Sequence, residues 1–202
     1  MGGLETAEII GTVAFALSGF YVAVKDKLDL LGIFIASFLT ALGGGLVRDM
    51  IADRAPYTFT HMLPSILVIT VILVSILLRL HEKSEIEKKF YFIISDTLGL
   101  VSFSISGALV GLHVGFNFFG VILLALLTAV GGGVMRDILL NRVPILLTSE
   151  FYGSVSLLVG AILFGLHQWD MIGFVPLMIV FALGVALRLV AYYKSWQLPK
   201  IG

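Results

Sequence analysis

The chain has 202 residues, of which 59% are hydrophobic and 13% are charged. An ordinary soluble domain carries roughly 25% charged residues and needs them to cover its surface. Thirteen Lys and Arg balance thirteen Asp and Glu, which leaves no basic surface for nucleic acid. The absence of cysteine excludes disulfides and thiolate metal sites. The composition therefore predicts an integral membrane protein.

Seven segments are long enough to cross a bilayer, which requires about 20 mostly apolar residues per helix. We number them predicted helices 1 to 7. Short connections join them, so the predicted fold is all-α with seven transmembrane helices. The segments are 6–24, 30–52, 61–80, 91–112, 118–140, 148–167 and 171–193.

One strongly charged segment, from Arg79 to Lys89, separates predicted helix 3 from predicted helix 4. Charge of this density does not enter a bilayer, so the segment divides the chain. We expect a first three-helix repeat over 1–80, a charged linker over 81–90, a second three-helix repeat over 91–168, and a seventh helix with a C-terminal tail over 169–202.

An internal repeat relates the two halves. At an offset of 88 residues, segment 40–56 aligns with segment 128–144, and nine of the seventeen aligned positions are identical. The same offset places Glu8 on Asp96. Because each copy holds three helices, an odd number, the second copy must enter the membrane from the opposite side. The sequence thus predicts an inverted repeat in which predicted helices 2 and 5 are equivalent and antiparallel.

The distribution of positive charge predicts the orientation. Lys and Arg accumulate in the short cytoplasmic loops of membrane proteins. Eleven lie in the loops after predicted helices 1, 3 and 5 or near the C-terminus, and two, Arg48 and Arg54, lie on the other side. We expect a multi-pass inner-membrane protein with its N-terminus outside and its C-terminus in the cytoplasm. The eleven are Lys25, Lys27, Arg79, Lys83, Lys88, Lys89, Arg136, Arg142, Arg188, Lys194 and Lys200.

Three consecutive glycines lie near the middle of predicted helix 2, and three more lie near the middle of predicted helix 5. Each glycine costs about 1 kcal/mol relative to alanine in a helix, so we expect both helices to break there. Broken helices in inverted repeats mark solute paths. The alternative is that the glycines only permit close helix packing. They are Gly43, Gly44, Gly45, Gly131, Gly132 and Gly133.

A charged pair follows each glycine triplet in the same helix. Arg48 and Asp49 form the first pair, and Arg136 and Asp137 form the second. Isolated charge inside a membrane is costly and usually pairs or faces water. A structural ion pair and a pore-lining role both stay open, because one salt bridge can fill both roles.

Smaller repeat-related side chains complete the candidate path. Intramembrane Ser and Thr often bond back to their own helix, so structural and pore-lining roles both stay open. The paired phenylalanines form an apolar constriction or simply pack. Glu8 and Asp96 bind cations at the two mouths or favour a helix N-terminus. The pore-lining candidates are Phe15, Ser18, Thr40, Phe103, Ser106 and Thr128.

Nothing in the sequence suggests catalysis. The four histidines lack metal-ligand spacing, and no glycine-rich loop follows a strand to bind a nucleotide. We therefore expect that the protein is not an enzyme and that it binds neither a metal nor a cofactor.

The doubled Gly-Gly-Gly-x-x-Arg-Asp motif resembles that of the prokaryotic trimeric intracellular cation (TRIC) channels. Both copies, Gly43 to Asp49 and Gly131 to Asp137, match without departure, and the resemblance covers nearly the whole chain. It implies a homotrimer in membrane lipid. Each protomer would then have its own hourglass-shaped pore, permeable to potassium or sodium and lined by helices 1, 2, 4 and 5. A related pattern of bacterial membrane proteins shares the motif and is linked to glycine uptake.

The leading hypothesis is a monovalent-cation channel. Broken-helix carbonyls and hydroxyls are weak oxygen ligands, and weak binding at several sites favours passage. The alternative is a secondary transporter of a small amino acid such as glycine, because inverted repeats with broken helices also serve alternating access.

Overall fold

A computed structural model describes residues 2–148 and 151–196. Regular structure within these ranges is entirely helical, with nine α-helices and one 3-10 turn at Leu80–Glu82. The helices are α1 Gly2–Lys25, α2 Leu30–Ile51, α3 Tyr57–Thr60, α4 Leu63–Leu77, α5 Glu85–His113, α6 Phe118–Leu139, α7 Ile145–Thr148, α8 Tyr152–Gln168 and α9 Phe174–Tyr193.

Five of these helices, α1, α2, α5, α6 and α9, are long and apolar enough to cross a membrane. Helices α4 and α8 are also apolar but shorter, with 15 and 17 residues. In chain order, α1, α2, α4, α5, α6, α8 and α9 correspond to predicted helices 1 to 7. The prediction of an all-helical membrane protein is confirmed.

Helix α5 begins earlier than predicted, at Glu85 rather than near residue 91. Ser84 caps it: the Ser84 hydroxyl accepts a hydrogen bond from the Glu87 backbone N–H, and the Glu87 carboxylate accepts one from the Ser84 backbone N–H. A capping box of this kind satisfies two backbone donors that a helix start leaves free. The second half of the segment predicted as a linker, 81–90, is therefore helical.

The central four helices pack as two antiparallel pairs, α1 with α5 and α2 with α6. Along the first pair, Glu8 contacts Ser106 and Ser18 contacts Asp96, so the residue numbers rise along one helix as they fall along the other, and the two helices are antiparallel. These two contacts are each other's counterparts at the 88-residue offset. Helix α4 packs on α1 and α2, whereas α8 packs on α5 and α6, and α9 packs on α5 and α8.

Both glycine triplets lie inside uninterrupted helices, so the predicted helix breaks at Gly43–Gly45 and Gly131–Gly133 are wrong. Helices α2 and α6 cross at the triplets in close contact. A Cβ built on Gly44 would lie 1.9 Å from the Thr128 carbonyl oxygen, and one on Gly132 would lie 2.2 Å from that of Thr40. Backbone contact at the crossing offsets the low helix propensity of glycine.

Candidate functional site

The first charged pair forms the centre of a buried polar cluster near the end of α2. Arg48 Nε donates to Asp49 Oδ1 over 2.9 Å, and Arg48 Nη1 donates to Glu8 Oε1 over 2.5 Å. Arg48 Nη1 also donates to the Ser106 hydroxyl. We call Glu8, Arg48, Asp49 and Ser106 the first-copy site. Two carboxylates and a hydroxyl compensate a guanidinium that is only 2% exposed.

The second charged pair forms the equivalent cluster near the end of α6, which we call the second-copy site: Asp96, Arg136, Asp137 and Ser18. Arg136 Nε donates to Asp137 Oδ1 over 2.9 Å, and the Ser18 hydroxyl donates to Asp96 Oδ1 over 3.2 Å. Arg136 is 1% exposed. Within the part of the chain that the structure describes, its Nη1 has no hydrogen-bond partner. The second-copy arginine is thus less completely bonded than Arg48.

Each aspartate also anchors a short helix. Asp49 Oδ2 accepts a 3.0 Å hydrogen bond from the Tyr57 backbone N–H at the start of α3, and Asp137 Oδ2 accepts one of 3.0 Å from the Ile145 N–H at the start of α7. A carboxylate at a helix start satisfies an otherwise free donor. Each aspartate therefore combines ion pairing with a backbone anchor, and neither short helix was predicted.

A cavity of about 270 Å³ opens beside the first-copy site. Three carboxylates and one guanidinium line it, so its electrostatic field favours cations. Hydroxyl groups provide additional oxygen atoms along the wall. The polar lining residues are Glu5, Glu8, Thr12, Arg48, Asp49, Tyr57 and Thr58.

The predicted hydroxyls fall into two groups. Thr40 and Thr128 donate to carbonyl oxygens of their own helices, those of Ala36 and Leu124, each over 2.6 Å. They are buried against the neighbouring helix, so they have the structural role that the sequence left open. Ser18 and Ser106, by contrast, bond to the acidic residues of the two charged clusters.

The paired phenylalanines meet between the two sites. The rings of Phe15 and Phe103 stack with centroids 5.4 Å apart, and Phe103 also lines the first-copy cavity. A Cβ on Gly99 would lie 2.1 Å from the Phe15 ring, and one on Gly11 would lie 2.9 Å from the Phe103 ring. Along α1 and α5 the stack thus lies between the residues of the two clusters.

The glycines of each triplet have different surroundings. Gly44 and Gly132 make the backbone crossing, and Gly43 and Gly131 lie against the glycines opposite them. A Cβ on Gly45 would meet nothing within 4 Å, and one on Gly133 would meet only Arg136 Nη2, at 3.8 Å. The third glycine of each triplet thus faces the charged cluster of its own copy.

Sequence reasoning missed two residues near the second-copy site, Tyr152 and Arg188. Arg188 was counted among the positive charges near the C-terminus on the cytoplasmic side, but it lies buried inside α9, 4% exposed, with its guanidinium 4.9 Å from the centroid of the Tyr152 ring. Tyr152 in turn interacts with the Asp96 carboxylate. One arginine within an otherwise apolar helix is the signal that could have located this cluster.

Solved structures share this fold along nearly the whole chain. A TRIC cation channel structure, solved for the structural basis of conductance, is 32% identical with a TM-score of 0.86, and the match covers 98% of this chain and 97% of that one. A prokaryotic TRIC channel crystallised in 0.5 M KCl is 28% identical with a TM-score of 0.88, covering 96% and 98%. The TRIC orthologue from Rhodobacter sphaeroides, at 22% identity and a TM-score of 0.88, shares the fold.

Fold and site together define a membrane protein of the TRIC type rather than an enzyme. Two curated relatives are UPF0126 proteins: the membrane protein YvgT of Bacillus subtilis, 33% identical over 96% of this chain and 95% of its own, and the inner membrane protein YadS of Escherichia coli, 31% identical over 77% and 74%. The model of the family described as "Glycine transporter" matches residues 5–81 and 93–168. The chain belongs to this TRIC-like family.

Proposed function

We propose that the chain is a cation channel. The observation that carries the proposal is the first-copy cavity, where Glu5, Glu8 and Asp49 outnumber Arg48. Excess negative charge in a cleft with low-dielectric walls concentrates cations. Two of the solved TRIC channel structures share both the fold and more than a quarter of the sequence, which supports the same conclusion.

The proposed channel passes monovalent cations, with potassium as the principal ion. Each protomer of a homotrimer has its own pore, lined by α1, α2, α5 and α6. Seven helices cross the membrane as an inverted three-plus-three repeat followed by one further helix. The boundaries are those expected from the sequence, except that the connecting segment becomes helical at Glu85.

Weak oxygen ligands for the ion come from side chains rather than from broken helices. Because α2 and α6 are continuous, their carbonyls stay in the helical hydrogen-bond ladder. Glu5 and Glu8 supply carboxylate oxygens in the cavity, and Thr12 and Thr58 supply hydroxyls. In the proposed mechanism a cation enters at these oxygens and then meets the Phe15–Phe103 stack. Ring movement there lets the ion pass or stops it.

Single-channel recording tests this proposal through one carboxylate. Purified protein in a planar bilayer is expected to give unitary cation currents in KCl. Glu8→Gln should lower the unitary conductance by about twofold to fivefold at low salt, because the cavity loses local negative charge. The difference should shrink at about 1 M salt, where charges are screened over about 3 Å. The control is Glu82→Gln, whose side chain is 56% exposed in the linker. A conductance independent of Glu8 at every salt concentration would contradict the proposed path.

A carrier for a small zwitterion is the second candidate function. Glu8 and Arg48 lie side by side in a cavity of about 270 Å³, so one could face an ammonium group and the other a carboxylate. The family description points the same way. Uptake of radioactive glycine into proteoliposomes decides between the two: saturable uptake without unitary currents would support the carrier and overturn the channel.

We also propose that the N-terminus lies outside the cell and the C-terminus in the cytoplasm, in the inner membrane. Removing the buried Arg188 from the count leaves the charge bias intact, because Lys25, Lys83, Lys88 and Lys89 still lie at or beside helix ends on the predicted cytoplasmic side. A reporter active only in the cytoplasm should give signal when fused after residue 202 or inserted in 82–84. The same reporter at residue 2 should stay silent. The reverse pattern would contradict the orientation.

A further inference from the structure

The two charged clusters are built alike but differ in open space. The cavity at the first-copy site measures about 270 Å³, whereas the one at the second-copy site measures about 10 Å³. Seven of the eight residues that line the small cavity are counterparts, at the 88-residue offset, of residues that line the large one, and Val134 is the exception. The same site is therefore open in one copy and filled in the other.

One substitution between the copies places a larger side chain at this point in the second copy. Pro64 lines the first-copy cavity, and its counterpart in the second copy is Tyr152. Tyr152 is 5% exposed, and its hydroxyl interacts with the Asp96 carboxylate. A phenol ring thus stands where the first copy has a compact ring and open space.

The seventh helix supplies the group that holds this ring. The Arg188 guanidinium of α9 lies 4.9 Å from the centroid of the Tyr152 ring and 5.8 Å from that of Tyr192. A cation over an aromatic face is attracted to it, and more strongly when both are desolvated. The first copy has no counterpart of α9 at the 88-residue offset, so only the second-copy site has this support.

We propose that Tyr152 closes the second half of the ion path, that Arg188 is its positioning residue, and that withdrawal of the Tyr152 ring opens a cavity equivalent to the one around Arg48. The inference rests on the proposed channel function for its meaning in conduction. We call the Tyr152 ring in this position the plug. Its presence is a property of the fold and can be tested without measuring current.

Cysteine accessibility tests the plug directly, because the chain contains no native cysteine. Gly45→Cys and Gly133→Cys form a matched pair, since each position faces the charged cluster of its own copy and tolerates a Cβ. Full-length protein in lipid nanodiscs exposes both faces to a cationic methanethiosulfonate reagent, and intact-mass spectrometry gives the labelling rate. We expect rapid labelling at Gly45→Cys and slow labelling at Gly133→Cys.

Replacing the tyrosine should remove the difference. Tyr152→Ala is expected to speed labelling of Gly133→Cys by at least about tenfold while leaving Gly45→Cys unchanged, because the closed state loses the ring that favours it. Tyr152→Phe keeps the ring and should label slowly. If Tyr152→Ala does not assemble, Tyr152→Leu gives a smaller change in volume and the same direction. Equal rates at Gly133→Cys with and without the ring would overturn the proposal.

Arg188 needs a readout beyond loss of stability. Arg188→Ala should speed labelling of Gly133→Cys, and Arg188→Lys should partly restore the slow rate, because it keeps the cation but loses the planar face. Current recording separates this inference from the channel proposal. Faster labelling of the Tyr152 variants without any current would support the closing role of Tyr152 and reject the channel proposal. Clear currents with labelling independent of Tyr152 would reject only the closing role of Tyr152.

Discussion

Gly44→Ala and Gly132→Ala are each expected to destabilise the folded protein by about 3 kcal/mol, the upper end of the usual cost of overpacking. The added methyl at Gly44 would lie 1.9 Å from the Thr128 carbonyl oxygen, and the one at Gly132 would lie 2.2 Å from that of Thr40. Backbone atoms cannot rotate away as a side chain can, so the two helices must separate. The gain of about 1 kcal/mol in helix propensity does not compensate.

The third glycine of each triplet provides the matched control. Gly45→Ala and Gly133→Ala add the same methyl to the same helices, but the methyl meets no atom closer than 3.8 Å. They should leave stability unchanged or slightly raised. Thermal unfolding in detergent, followed by gel filtration, measures the loss of folded assembly for all four variants. A Gly44→Ala, Gly132→Ala double variant that assembles and melts like the unmodified protein would show that the crossing is not tight.

This expectation reverses the one that the sequence supports. If the triplets broke the helices, alanine would straighten them, and the assembly would survive with altered conductance. Sequence alone could not decide, because the helix propensity of Gly44 is a local quantity whereas its contact with Thr128 is made across 84 residues of chain. Propensity yields to packing wherever two backbones touch.

The repeat made much of the candidate site predictable. Arg48, Asp49, Glu8 and Ser106 recur at a fixed offset in the sequence, and the structure brings them into one cluster. The resemblance in motif likewise led to the fold that the solved structures share. Symmetry in sequence becomes symmetry in contact because equivalent side chains on equivalent helices meet equivalent neighbours.

Departures from the repeat were not predictable in the same way. Tyr152 lies where the first copy has Pro64. An alignment of the two copies that searches for identical residues gives no signal at such a position. Arg188 lies outside both copies, in α9, and in the sequence it is counted only as one more positive charge near the cytoplasmic end. Both residues acquire meaning only when the fold places them beside Asp96.

A second asymmetry lies in the length of the acidic partner. Glu8 forms a 2.5 Å hydrogen bond with Arg48 and also accepts one from Ser106. Its counterpart Asp96, shorter by one methylene, keeps the equivalent bond from Ser18 but forms no salt bridge with Arg136 among the described residues. Arg136 Nη1 has no hydrogen-bond partner within residues 2–148 and 151–196. Arg48 therefore has two carboxylates in salt-bridge contact, whereas in the described residues Arg136 has one, Asp137, with the Asp96 carboxylate interacting at longer range.

Asp137→Asn should consequently destabilise the protein more than Asp49→Asn. Asparagine keeps an oxygen for the backbone N–H at the start of the short helix, so both variants test mainly the lost charge. Removing the partner of a buried ion pair costs about 3–5 kcal/mol, and Asp137→Asn should reach that range because Arg136 is 1% exposed. Asp49→Asn should cost roughly half as much, because Glu8 still neutralises Arg48.

Removing the Glu8 carboxylate as well tests whether it supports Arg48 in the Asp49→Asn variant. Adding Glu8→Gln to Asp49→Asn leaves Arg48 without either carboxylate, so the double variant should become at least as unstable as Asp137→Asn. Thermal unfolding of the single and double variants in one detergent gives the coupling between the two carboxylates. Equal losses for Asp49→Asn and Asp137→Asn, or losses at Glu8 and Asp49 that simply add, would show that Glu8 does not support Arg48. The two copies would then differ in open space alone.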